Sequence, residues 1–446
     1  MTELNAAKNQ NLDASVTHFA NEVVIEQKGF KSISVVGLGY IGLPTAAIFA
    51  SRKVPVLGVD VSQHTVDAIN RGEAHIVEPD LDLAVRTVVS EGYLRASMEP
   101  EPADAYLIAV PTPFISSQWN EKEPDLSFIE AASRRIAGVL KPGDLVVLES
   151  TSPVGATEKM AAWLAEERGD LTFPQTHGEQ SDIRIAHCPE RVLPGQVLRE
   201  LVDNDRVIGG MTPRCSSRAV ELYKLVVKGE CVVTDTRTAE MAKLTENSFR
   251  DVNIAFANEL SVICDNLDID VWELISLANR HPRVNILKPG PGVGGHCIAV
   301  DPWFIVASSP SDANLIRTAR EVNDSKPHWV IEKVKNLVKI HSFLHSKPVR
   351  ISCFGLAFKP DIDDFRESPA LKIVDELSKA YPGQVCVVEP YAETLPASLE
   401  GKATLTSFES ALEADIGVIL VAHKIYADKF NTLRKDMKIV DTQGVC

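Results

Sequence analysis

Residues 289–304 read PGPGVGGHCIAVDPWF, which sets one thiol, Cys297, directly after four glycines and two prolines that neither a helix nor a strand would absorb. Three readings are open for such a thiol: a nucleophile, a metal ligand, or a residue without a role. A thiol in water is mostly protonated near neutrality, so a nucleophilic Cys297 needs a cationic or dipolar neighbour from elsewhere in the chain. Lys243 and Asn247 in AEMAKLTENSFRD are spaced i, i+4, and on a helix they project from one face. There a charge and an amide could hold an oxyanion, although the same pair suits a solvated helix face. Glu190 in HCPER and Asp301, beyond Cys297, are candidate bases or water positioners, or else plain turn carboxylates. His296 and Cys297 are adjacent and would point apart as chelators, and the eight cysteines contain no CxxC pair, so no metal is expected. The glycines around Cys297 are expected to let a bulky ligand approach the thiol closely.

A second constellation lies near the start of the chain. Gly37-Leu38-Gly39-Tyr40-Ile41-Gly42 follows an apolar β-branched run and opens a stretch of small helix-forming residues, and Asp60 ends the next apolar run. The first glycine permits a tight turn, the second a close approach of pyrophosphate to the backbone, and the third close packing of helix on strand. Asp60 would accept both ribose hydroxyls and repel a 2'-phosphate, which favours NAD over NADP; the alternative is a strand-end turn acid. Two further loops, Val110-Pro111-Thr112-Pro113 and Ser150-Thr151-Ser152-Pro153, end later apolar runs, and Thr112, Ser150 and Thr151 offer hydroxyls there.

Positioning these residues calls for an α/β protein. Strand-like runs at ISVVG, VPVLGVD, ADAYLIAV, DLVVLE, IRIAHC and RVIGG alternate with amphipathic stretches, the pattern of a doubly wound parallel sheet. From about residue 213 to 341 the pattern becomes helical, with TRTAEMAKLTENSFRDVNIAFANELSVICDNL free of Gly and Pro. A helix of that length could carry a subunit interface or serve within one chain. Strands return at VRISCFGLAF, QVCVVEP, ADIGVILVAH and MKIVDTQG. The expected architecture is two Rossmann-like domains, 32–212 and 342–446, flanking a helical domain, 213–341, that holds the thiol loop. Residues 1–31 read as a polar extension without the features of a secretory signal. The net charge of −15 argues against nucleic-acid or anionic-membrane partners, and the cysteine usage suits the reducing cytoplasm.

Taken together, VGLGYIGLPTA, VDVSQHTVDAINRG, VPTPF, ESTSPVG, CPERVLPG, AEMAKLTENSFRDVNIAFANEL, GPGVGGHCIAVDP and FGLAFKPDIDDFRESPA resemble, in order, the nucleotide-sugar 6-dehydrogenases of the UDP-glucose and UDP-N-acetylmannosamine dehydrogenase family. The resemblance runs from Ser32 to Val445. It implies oxidation of a sugar C6 alcohol to a carboxylate with two NAD and one water, on UDP-N-acetyl-D-mannosamine first, with UDP-N-acetylglucosamine and UDP-glucose as alternatives. By that resemblance Cys297 is the nucleophile passing through a thiohemiacetal and a thioester. Lys243 and Asn247 stabilise the C6 oxygen and place water, Asp301 assists them, and Glu190 serves acid/base and hydrolysis steps. The cofactor set would be Gly37, Gly39, Tyr40, Ile41, Gly42, Asp60, Pro111, Thr112, Thr151 and Arg366. Lys359, Arg283, Arg191, Val192, Arg250 and Gly294 would join Lys243 and Asn247 in binding substrate. A homodimer or higher homo-oligomer is implied. Two rivals differ in what they need: a two-electron hydroxyacid dehydrogenase has no use for Cys297, and a nucleotide-sugar sensor would bind without reducing NAD.

Overall fold

The computed structural model describes residues 29–76, 78–115, 122–193, 195–295, 297–345 and 347–446. The chain divides after Leu244 into two compact units. Most of the polar segment 1–31 lies outside the described residues, but its end belongs to the fold. Phe30 is 9% exposed with the Arg218 guanidinium 3.8 Å from its ring centroid, and the Lys31 N–H donates to Asp104 at 2.7 Å.

The first unit is built on strands β1 (Ile33–Val36), β2 (Val56–Val59), β3 (Leu94–Ser97), β4 (Ala105–Ile108), β5 (Leu145–Leu148), β6 (Arg184–His187), β7 (Arg206–Gly210) and β8 (Cys231–Asp235). Their order in the sheet is β3-β2-β1-β4-β5-β6-β7-β8, parallel except where β6 meets β7. Helices cover both faces, so each central strand is a continuous apolar run and not an alternating one. Val35, Leu107 and Val147 pack on one face; Val36, Ile108 and Leu148 pack on the other. Helix α1 (Gly42–Ser51) follows β1, and α2 (Pro213–Tyr223) joins β7 to β8. The sequence pattern turns helical from about residue 213 to 341, whereas the sheet takes one more strand within that stretch. β8 is at the sheet edge with exposed positions, so it lacks the apolar run that marks the inner strands.

The second unit begins within the helix α3 (Thr236–Asn266); a short helix over Val271–Ala278 comes next, and α4 (Asp301–Ser308) and α5 (Asn314–His345) come after it. A five-stranded parallel sheet closes it: β9 (Ile351–Phe354), β10 (Val385–Val388), β11 (Thr404–Leu405), β12 (Ile416–Ile419) and β13 (Lys438–Asp441), in the order β11-β10-β9-β12-β13. Helix α6 (Pro369–Ala380) packs with Val330 and Val334 of α5 on one sheet face, and Phe408 and Phe430 cover the other. α3 is inverted relative to an ordinary surface helix. Asp251 and Asn258 are fully buried on it, while Phe249 is 69%, Phe256 54% and Ile263 44% exposed.

Candidate functional site

In the first unit β1 runs into a turn at Gly37, whose φ is +89°. A Cβ at Gly37 would lie 2.6 Å from the Ala109 carbonyl oxygen, and one at Gly42 would lie 1.7 Å from the Gly37 carbonyl oxygen. Both glycines are therefore demanded by the protein's own packing. Gly39 is different, because a Cβ there would meet nothing within 4 Å. The open space beside it is what an approaching pyrophosphate requires. Tyr40 is exposed and Ile41 is the N-cap of α1. Asp60, just beyond β2, accepts the Leu38 and Ser62 N–H groups at 2.9 Å each, one on either carboxylate oxygen. Each oxygen keeps a further lone pair for a ribose hydroxyl.

The sheet order reverses between β1 and β4, the place where open α/β sheets take their ligands. Around it, Thr112 Oγ1 donates to the Thr151 carbonyl oxygen at 2.6 Å, and Ser150 Oγ donates to the Val110 carbonyl oxygen at 2.7 Å. These two hydroxyls, which the sequence offers to a ligand, staple the loops to one another, with Pro111 exposed between them. The turn, the open face at Gly39 and Asp60 fit a bound dinucleotide.

Glu190 follows β6 and is 5% exposed. Its Oε1 accepts the Arg191 N–H at 2.5 Å and its Oε2 accepts Arg206 Nη1 at 3.0 Å. Arg206 lies 5.4 Å from the Tyr223 ring, and the Tyr223 hydroxyl donates to Glu149 Oε1 at 2.7 Å. Burial pushes Glu149 up to about 7; Arg206 and the Tyr223 hydroxyl oppose the rise and the Glu190 charge adds to it. Burial likewise pushes the neighbouring Cys188 up to about 12, so this second thiol stays protonated. Arg191 is half-buried with Nη1 3.4 Å from the Asp205 carbonyl oxygen, and Val192 packs against the apolar core.

The thiol loop belongs to the second unit. Cys297 is half-buried, and its carbonyl oxygen accepts the Val300 and Asp301 N–H groups at 3.0 and 2.9 Å. It thus ends the loop and opens the turn into α4, where the start of a helix favours nearby negative charge. Asp301 is 2% exposed and accepts Asn247 Nδ2 at 2.5 Å. Asn247 of α3 is thereby tied to the thiol loop. Lys243 is half-buried one turn earlier on α3, and Arg250 is exposed on the same helix. His296 lies outside the described residues.

The loop glycines are demanded by the protein's own packing. A Cβ at Gly294 would lie 2.6 Å from the Glu367 carbonyl oxygen, and one at Gly295 would lie 3.0 Å from the Phe358 ring. They let the loop pack against the turn that leads into α6. Lys359 is exposed beside Phe358, and Arg366 forms a bidentate pair with Asp364 at 2.9 and 2.6 Å. Arg283 is exposed in the loop 280–285, whose base is closed by Asn279. Asn279 Nδ2 donates to the Ile286 carbonyl oxygen at 3.0 Å, and Asn279 Oδ1 accepts the Ile286 N–H at 2.7 Å.

Sequence reasoning misses Glu149, Arg206, Asp251 and Asn258. For the last two a signal existed: Asn247, Asp251 and Asn258 recur at the spacing of one helix face, where a buried stripe would ordinarily be apolar. Among the described residues no group of three or more His, Cys, Asp or Glu could hold a metal ion, and no helix is long and apolar enough to cross a membrane.

Three models of the UDP-glucose/GDP-mannose dehydrogenase family match successive parts of the chain: the NAD binding domain over residues 31–227, the central domain over 237–325 and the UDP binding domain over 352–446. The chain is 64% identical over 417 residues to the NDP-N-acetyl-D-galactosaminuronic acid dehydrogenase of Ralstonia solanacearum, covering 93% of this chain and 96% of that one. It is 62% identical over 424 residues to the UDP-N-acetyl-D-mannosamine dehydrogenase of Escherichia coli (strain K12), covering 93% and 99%. Among solved structures, the UDP-D-ManNAc dehydrogenase of Pyrococcus horikoshii matches with a TM-score of 0.80 at 38% identity, covering 93% and 96%. The UDP-N-acetyl-mannosamine dehydrogenase of Staphylococcus aureus matches with a TM-score of 0.79 at 42% identity, covering 93% and 95%.

Proposed function

Since this chain belongs to the UDP-glucose/GDP-mannose dehydrogenase family and its cofactor is NAD, we propose that it oxidises C6 of UDP-N-acetyl-D-mannosamine to the carboxylate. The product, UDP-N-acetyl-D-mannosaminuronate, serves bacterial surface polysaccharide synthesis, and the reaction runs in the cytoplasm. The observation that carries the four-electron reading is Cys297 entering α4 beside an Asp301 held by Asn247 at 2.5 Å. A two-electron dehydrogenase needs no such thiol.

NAD, when bound at the Gly37 turn, supplies the hydride acceptor. Lys243 and Asn247 stabilise the developing oxyanion at C6. The Cys297 sulfur adds to the aldehyde carbon, giving a thiohemiacetal whose oxidation leaves a thioester. Water then breaks the C–S bond, and the thiol regains its proton as the carboxylate departs. Asp301 orients Asn247 in these steps, and Glu190 serves the hydrolysis, which requires release of its buried pairing with Arg206. Four electrons leave the sugar, and water contributes the second carboxylate oxygen. Residues 32–212 hold NAD, with Thr151 and Arg366 contributing, and residues 342–446 hold the UDP end through Lys359. Residues 213–341 carry the thiol loop, with Arg191, Val192, Arg250, Arg283 and Gly294 completing the substrate contacts. The exposed Phe249, Phe256 and Ile263 of α3 recur every seven residues and support self-association of two chains along this helix.

The test is the number of NADH formed per sugar consumed. Two supports the thioester route, and one sinks it. Cys297→Ala is expected to abolish acid formation with NAD affinity unchanged. A panel of UDP-N-acetylmannosamine, UDP-N-acetylgalactosamine, UDP-N-acetylglucosamine and UDP-glucose assigns the hexose. The 64% identity to the galactosaminuronic acid enzyme makes the N-acetylgalactosamine form the second reading.

A further inference from the structure

Two hydrogen bonds between described residues tie the thiol loop to α3, and one of them, the Asn247–Asp301 bond, lies next to the thiol. The other is made by Asn258, 0% exposed, whose Oδ1 accepts the Gly290 N–H at 2.9 Å. The orientation of this amide is dictated by its neighbours. Gly290 offers a donor, so Asn258 must present its oxygen there and its Nδ2 elsewhere. That Nδ2 donates to Asn323 Oδ1 at 2.8 Å, and Asn323 Nδ2 donates in turn to Asp251 Oδ1 at 2.8 Å. Arg320 Nη1 donates to the same Asp251 oxygen at 2.6 Å. Every donor in the series therefore points toward one buried carboxylate, and such a chain polarises each successive acceptor. Asp251, Asn323 and Arg320 are each no more than 1% exposed. A buried network of this kind is retained at a desolvation cost that apolar packing between α3 and α5 would avoid.

Its reach explains its location. Asn247 and Asn258 stand on one helix, eleven residues or roughly 16 Å apart. Between their two attachments the loop passes Gly292, Gly294 and Gly295, which pack on Pro327, Pro369 and Phe358. We propose that Asn258 is a positioning residue for Cys297. By holding the Gly290 N–H it fixes the upstream end of the loop as Asn247 fixes the downstream end, and α3 serves as the splint between them. This rests on the reading of Cys297 as the aldehyde trap. With the upstream end released, the thiol meets the aldehyde late, and aldehyde escapes before the second oxidation.

The test uses full-length Asn258→Ala and the milder Asn258→Ser, with Asn323→Ala to loosen the relay behind an intact Gly290 bond. NADH per sugar consumed is measured alongside free aldehyde trapped by hydroxylamine. This ratio counts only molecules that turn over, so a misfolded fraction does not move it. The expected result is a fall from two NADH per sugar to 1.5 or below in Asn258→Ala, with trapped aldehyde matching the deficit and a smaller fall in Asn323→Ala. A ratio that stays at two in Asn258→Ala and Asn258→Ser overturns the proposal, whatever happens to their rates. A wild-type ratio near one overturns instead the thioester reading on which it rests.

Discussion

The first strand of each sheet ends in the same turn, put to opposite uses. After β1, Gly37 has φ +89°, its N–H donates to the Val59 carbonyl oxygen at 2.8 Å, and the next N–H donates to Asp60. After β9, Gly355 has φ +92°, its N–H donates to the Val388 carbonyl oxygen at 2.8 Å, and the next N–H donates to Glu389. Beyond that the two diverge. In the first unit a helix starts at Gly42 and Gly39 leaves open space. In the second, a long segment intervenes before α6, and Glu389 is claimed by the Leu356, Ala357 and Tyr391 N–H groups and by the His423 ring at 3.2 Å. His423 Nδ1 accepts the Asp361 N–H at 3.0 Å, so Nε2 carries the proton toward Glu389. A strand, a glycine and a terminal acid thus make a turn; whether the turn binds a dinucleotide depends on what the protein has already placed around it.

The largest expected break comes from the glycines. Gly42→Ala forces a Cβ against the Gly37 carbonyl and should lower NAD-dependent activity by more than a hundredfold, or prevent folding. Gly39→Ala should leave the melting temperature unchanged while raising KM for NAD about tenfold, a loss of about 1.4 kcal/mol. Gly355→Ala should do the reverse: its Cβ would lie 2.4 Å from Val421 Cβ, so stability falls while KM for NAD in the folded enzyme holds. Equal effects of Gly39→Ala and Gly355→Ala on KM would erase the distinction.

Of intermediate size are two buried acids with opposite pH signatures. Glu149, raised to about 7 chiefly by burial, holds its proton more tightly folded than unfolded. Its stabilising contribution is complete below the unfolded value and is lost as pH rises through 7. Glu149→Gln should therefore gain on the wild type between pH 5 and pH 8, by on the order of 3 kcal/mol in urea unfolding. Burial alone would raise Glu389, but the His423 ring and the backbone donors outweigh it and hold it below the usual carboxylate range. Its contribution is present near neutrality and lost as pH falls through the folded value, so Glu389→Gln should be costly at pH 7 and progressively less so in acid. Parallel trends in the two variants would contradict these environments.

The smallest effect concerns cofactor choice. Asp60→Asn removes the charge facing a 2'-phosphate and should raise kcat/KM with NADP about threefold, or ~0.65 kcal/mol. Glu389→Gln should leave the NAD/NADP ratio untouched.

What could be read from the chain alone was what is local. The Gly37 turn, Asp60 and the buried strands are set by neighbours a few residues away, so spacing reveals them. β8 escaped because an edge strand lacks the continuous apolar run of a central one. Glu149, Glu190, Arg206 and Tyr223 meet from four separate elements, and composition does not tell a buried charge from a solvated one. The loop glycines were visible, but their reason was not: the residues they admit, Phe358 and Pro369, lie sixty or more positions onward.

The two hydrogen bonds of Asn279 have a consequence for how this enzyme can be changed. By pairing with both backbone groups of Ile286, one side chain stands in for the strand partner that would otherwise close the loop. Residues 280–285 are all exposed outside that clasp. The segment is a cassette: its contents, Arg283 included, should be exchangeable while the clasp is kept, and where Arg283 meets substrate as proposed, that exchange would alter recognition without redesigning the fold.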